Sequence, residues 1–127
     1  MRVIGHRVLA GCAIVVLAMT ISGCDGWTHP PRSSFGDAVK GSKLIRNFGC
    51  GTCHTIPGVE GADGNVGPPL DAIGRRIYLA GTLPNTPDNM MKWLRDPQRF
   101  APGTVMPNMG LSSDQARDVT AYLQTLQ

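Results

Sequence analysis

Cys50-Gly51-Thr52-Cys53-His54 is the stretch of the 127-residue chain on which its fold and chemistry turn. Two thiols three residues apart on a helical turn project from one side. They can therefore bond to two neighbouring points on the edge of one flat ligand. The imidazole that follows directly then lies under that ligand's plane. This is the spacing at which a haem is attached through thioethers to its vinyl groups, with the histidine binding iron from the proximal face. A structural disulfide, a thioredoxin-like redox pair and half of a zinc site are the competing readings of the two cysteines. A redox pair belongs beside a strand-helix unit, and none is legible. A zinc site needs two further Cys or His ligands, and outside the leader only His29 is left.

Outward from this pentad the chain reads as helices separated by irregular loops. Ala38, Gly41, Leu44, Ile45 and Phe48 recur at spacings of three and four, which predicts a helix from Gly36-Asp37 to about Phe48, with Asp37 in its first turn. Thr86-Pro87-Asp88 predicts a second helix start, with Met90, Trp93 and Leu94 on its inner face and Asp96-Pro97 ending it. Ser112 and Gln115 form a capping-box pattern ahead of a stripe of Ala116, Val119, Tyr122, Leu123 and Leu126. The stretches 58–69 and 100–110, rich in Gly and Pro, are long for connections in so small a domain and are expected to carry function. No run alternates well enough to be a strand, so the expected class is all-α, with three to four helices and long loops. The apolar core looks thin for such a domain, and a large, flat, covalently held hydrophobic ligand would complete it.

The opposite face of a haem iron needs its own account, because no second histidine lies in the domain. Met106, in Pro102-Gly103-Thr104-Val105-Met106-Pro107, is the expected sixth ligand, since the following proline restricts the backbone that presents the sulfur. Met109 lacks that proline, and Met90 and Met91 fit helical core filling better. His29, outside the periodic segments, reads as a solvated surface histidine.

The beginning of the chain has its own chemistry. Arg2, His6 and Arg7 precede an apolar run from Val8 to Ile21, which ends in Ile21-Ser22-Gly23-Cys24. Residues 1–23 read as an export leader, too short in its apolar run for the roughly 20 residues of a membrane-spanning helix. The four-residue ending resembles a bacterial lipobox, which would make Cys24 an acylated membrane anchor; an ordinary signal peptide with a cysteine near its cleavage site is the alternative. Residues 24–35 read as a tether and 36–127 as the folded domain. The formal charge of +3 falls to +1 once Arg2 and Arg7 are removed, leaving 10 basic residues against 9 acidic. That balance excludes the concentrated basic surface of a nucleic-acid binder.

These features together resemble a class I, mitochondrial-type cytochrome c domain over about Gly36 to Leu126. The resemblance implies a first helix and a last helix that approach closely where Gly41 meets Tyr122. In Gly67-Pro68-Pro69-Leu70 it implies that the Pro68 carbonyl accepts the free ring hydrogen of His54. In Gly74-Arg75-Arg76 it implies that Arg75 neutralises a haem propionate, with Arg76 solvated, and it places Trp93 near the propionates. The cofactor it implies is one haem c, covalent through Cys50 and Cys53 and ligated by His54 and Met106. The implied activity is single-electron transfer rather than enzymatic catalysis. Residues 83–89 and 93–97 further resemble the cytochrome domain fused to subunit II of some terminal oxidases. The two-helix membrane hairpin and copper-binding sequence of that subunit are absent from this sequence. The expectation is an exported lipoprotein facing the periplasm or cell exterior, in a respiratory chain that feeds a terminal oxidase from a quinol-oxidising donor. A haem-relay subunit of a larger oxidoreductase, or a haem sensor or enzyme with a labile sixth ligand, are the alternatives.

Overall fold

The computed structural model describes residues 35–127, and the leader, Cys24, His29 and most of the tether lie outside them. Four helices follow in order: α1 (Ala38–Asn47), α2 (Pro87–Arg95), α3 (Pro97–Phe100) and α4 (Ser113–Leu123). Single 3₁₀ turns occupy Cys50–Thr52 and Ile73–Arg75. No helix among the described residues is long and apolar enough to cross a membrane.

Each main helix starts where local chemistry satisfies its free backbone N–H groups. Asp37 caps α1 from just outside rather than lying in its first turn: its Oδ1 accepts from the N–H of Val39 at 3.0 Å and of Lys40 at 3.1 Å. Thr86 caps α2, accepting from Asn89 N at 3.2 Å, with Pro87 at the first helical position. The α4 capping box is complete, Ser112 Oγ accepting from Gln115 N and Gln115 Oε1 accepting from Ser112 N.

Helices α1 and α4 form the principal helix pair, and α2 packs on α4. Their closeness depends on Gly41, where a β-carbon would stand 2.1 Å from the Asp118 carbonyl oxygen and 3.0 Å from Tyr122 Cβ. Asp118 also accepts from the Asp37 N–H at 2.9 Å, which ties the start of α1 to α4. The expected contact of Gly41 with Tyr122 is therefore present, and a side chain at position 41 would hold the helices apart.

Two features go beyond the sequence reading. Asp96-Pro97 ends α2 as expected, but Pro97 immediately opens the four-residue α3. A minimal antiparallel hairpin pairs Tyr78 with Pro84 and Leu79 with Leu83, as β1 (Tyr78–Leu79) and β2 (Leu83–Pro84). Strands of two residues are too short to show alternation, so the all-α class stands with this hairpin as an ornament. Asn85 fastens it: Nδ2 donates to the carbonyls of Ile73 at 2.7 Å and Arg76 at 2.8 Å, and Oδ1 accepts from Gln124, the residue that caps the end of α4, at 3.3 Å.

Candidate cofactor site

The core of this domain is hollow. Ile45, Ile56, Ile73, Leu79, Met90, Leu94, Val119 and Leu123 are all buried, and all face one cavity of about 510 Å³. Protein interiors are close-packed, with few voids larger than a water molecule, so a space of this size is a ligand site and not a packing defect. Its wall is almost entirely apolar, the polar groups being few and placed at particular points.

Cys50, Cys53 and His54 lie together on that wall, on and just after a 3₁₀ turn. Gly49, with φ 68°, reverses the chain out of α1 and aims the turn at the cavity. The Cys53 and His54 N–H groups both donate to the Cys50 carbonyl, at 3.2 and 3.1 Å, which holds the three side chains as one unit. Both cysteines are free thiols. Burial pushes the Cys50 thiol up from its ordinary value, with a smaller upward push from Cys53 and an opposing backbone hydrogen bond. A redox-active pair needs a thiol that ionises easily, and this one is shifted the other way. Among the described residues no group of three or more His, Cys, Asp or Glu could hold a metal ion.

The imidazole of His54 is pinned. Its Nδ1–H donates to the Pro68 carbonyl at 2.8 Å, which orients the ring and leaves Nε2 as the nitrogen that could bind a metal. The loop carrying Pro68 is itself laced to the pentad, Gly67 N donating to Cys53 O at 2.7 Å and Leu70 N to Thr55 O at 2.9 Å. Pro68 and Trp93 also line the cavity.

Met106 reaches the same wall from the loop ahead of α4, as does Met109. Met90 is on it as well but is 1% exposed and packed in the core on α2. Arg75 is exposed and does not line the cavity; Arg76 does, half-buried, with Nη2 donating to the Pro69 carbonyl. The reason is local. The 3₁₀ turn ends at Arg75, and Arg76 is extended (φ −67°, ψ 141°), so its side chain leaves the turn towards the loop 67–70. Neighbouring arginines offer no sequence signal for that choice. Cys24 lies outside the described residues.

A haem fits this donor set. Two cysteine thiols stand at the edge of an apolar space, a histidine ring is held there through Nδ1, a thioether is available, and one arginine lines the same wall.

Comparison with known proteins agrees. The chain is 33% identical over 91 residues to cytochrome c oxidase subunit 2 of Alkalihalophilus pseudofirmus, covering 71% of this chain but only 26% of that protein. The chain thus spans about a quarter of the length of that relative. It is 34% identical over 105 residues to cytochrome c2 of Rhodopila globiformis, covering 72% of this chain and 95% of the relative. It is 31% identical over 102 residues to cytochrome c of Stellaria longipes, covering 70% and 92%. The cytochrome c family profile matches residues 38–127, from the first residue of α1 onward, and so takes in the whole cavity wall. The chain therefore belongs to the cytochrome c family, haem-bearing electron-transfer proteins in which haem c is held covalently through the cysteine pair, here Cys50 and Cys53.

Proposed function

We propose that the protein is a single-electron carrier with His54 and Met106 as axial ligands, anchored by Cys24 outside the cytoplasmic membrane and delivering electrons to a terminal oxidase. The observation that carries this reading is the meeting of a pinned imidazole, a cysteine pair and Met106 on the wall of one apolar cavity. Haem, when bound, supplies an iron that changes between ferrous and ferric states. Cys50 and Cys53 hold the ring edge. Pro68 orients His54 so that Nε2 takes the proximal position. Met106 would supply a neutral thioether to the iron, which would favour the ferrous form, and the apolar wall would disfavour the additional charge of the ferric form. Both push the reduction potential up. Arg76, rather than the expected Arg75, would offer its guanidinium to a propionate, and Trp93 lines the same cavity.

The ligand assignment is tested by spectra of the oxidised protein beside Met106→Ala. The native protein is expected to show the weak absorption of sulfur bound to ferric iron and the variant to lack it; persistence of that band in the variant overturns the assignment. The partner assignment is supported by the similarity to oxidase subunit 2 proteins. It is tested by oxidation of the reduced protein with a purified terminal oxidase, which should be fast and weakened by salt if charged groups steer the encounter. A quinol-oxidising complex is the corresponding donor. The anchor is tested by mass spectrometry of the mature N-terminus, where diacylated Cys24 is expected and an unmodified Cys24 contradicts it.

A further inference from the structure

Gln98 is the second residue of α3, and its side chain reaches across to the loop that carries Met106. Its Nε2 donates to the carbonyl of Thr104 at 2.5 Å and to that of Met106 at 3.3 Å, while its Oε1 accepts from the N–H of Gly103 at 3.3 Å. Both amide hydrogens and the amide oxygen are thus committed to one four-residue stretch of backbone. That stretch has little else to hold it. Its own bonds are Thr104 N to Ala101 O at 3.0 Å and Met106 N to Thr104 Oγ1 at 3.4 Å; Gly103 has φ 87°, and Val105 is 84% exposed. The grip comes from a fixed base, because Pro97, the neighbour of Gln98, is among the most completely buried side chains.

We infer that Gln98 is the positioning residue for Met106, holding the ligand's backbone at the distance from which its sulfur reaches iron; this rests on the assignment of Met106 as sixth ligand. Methionine is unbranched with three rotatable side-chain bonds, so where its sulfur spends time depends on where its Cα is held. Fixing the backbone raises the effective concentration of the sulfur at the iron against any ligand that competes for the position. Gln98 itself is exposed, and its bonds replace bonds to water. Removing it therefore loosens the loop with little effect on the stability of the whole domain.

The test uses the haem-loaded, oxidised protein and added imidazole as competitor, following loss of the sulfur-to-iron absorption. Gln98→Leu is expected to raise the rate of sulfur displacement about tenfold, the change produced by losing bonds of this kind, with the guanidinium unfolding midpoint lowered by no more than the loss of those same bonds. Asn108→Ala, which removes the acceptor of the Gly110 N–H in the same loop while the hydrogen bonds of Gln98 to 103–106 stay in place, is expected to leave the rate as it is. A band that needs Met106 but a displacement rate unchanged by Gln98→Leu, or raised equally by Asn108→Ala, overturns the positioning role alone. A band that survives Met106→Ala overturns the ligand assignment, and the positioning role with it.

Discussion

Gly67 and His54 are in such close contact that a β-carbon on Gly67 would stand 2.3 Å from Cε1 of the imidazole and 2.6 Å from Nδ1. The ring can yield only by giving up the bond from Nδ1 to the Pro68 carbonyl, one residue further on. Gly67→Ala is therefore expected to push the imidazole off Pro68 at an overpacking cost of about 1–3 kcal/mol. Guanidinium unfolding of the haem-loaded variant should show that loss, together with a lower yield of haem-loaded protein; native stability and yield would contradict the contact.

Gly41 makes the same argument for the helix pair. A β-carbon 2.1 Å from the Asp118 carbonyl oxygen meets backbone, which has no rotamer to change. Gly41→Ala should force α1 and α4 apart and cost about 3 kcal/mol or more, read as a fall in the unfolding midpoint.

Thr120 is fully buried on α4, and its Oγ1 has no hydrogen-bond partner among the described residues. A buried hydroxyl left unpaired costs about 1–3 kcal/mol. Thr120→Val, which keeps the shape and removes the polar atom, is expected to stabilise the domain by about 1 kcal/mol, roughly 4–8 °C in Tm for a domain of this size. An unchanged or lower Tm by calorimetry would show that the hydroxyl is paired in solution.

Tyr122 predicts how stability responds to alkali. Its O–H donates to the Pro57 carbonyl at 2.5 Å, and burial raises the phenol above its ordinary value of 10.0. The fold thus binds this proton more tightly than the unfolded chain does. The contribution is complete below the unfolded value near 10 and is lost as pH rises through the higher folded value. Unfolding free energy should fall across that window, and Tyr122→Phe should flatten the fall while lowering stability at neutral pH by about 1 kcal/mol. An equal alkaline slope in the variant would assign it to another group.

What could be read in the sequence was what depends on near neighbours in the chain. Ser112 with Gln115 and Thr86 with Pro87 cap their helices through contacts three residues apart or fewer, so pattern and structure coincide. Asp37 shows the margin, since cap and first turn differ by one residue and both suit a carboxylate. The pentad is equally local, and its partner Pro68 came only through the family resemblance, because a bond across fourteen residues leaves no period. Which of Arg75 and Arg76 lines the cavity is decided by a 3₁₀ turn that ends between them, a feature no sequence pattern marks. Gln98 carried no signal at all: a polar residue on a four-residue helix reads as solvent-facing until the loop is folded over it.

The central claim is that Cys50 and Cys53 hold one haem covalently in the cavity. It is tested most directly by the intact mass of the protein made in a host competent for cytochrome maturation, measured after denaturation and extraction with acidified organic solvent. A coloured polypeptide heavier by one haem is expected, an adduct that Cys50→Ala/Cys53→Ala abolishes. A colourless chain with the mass of the bare polypeptide, or colour that the solvent removes, would contradict it.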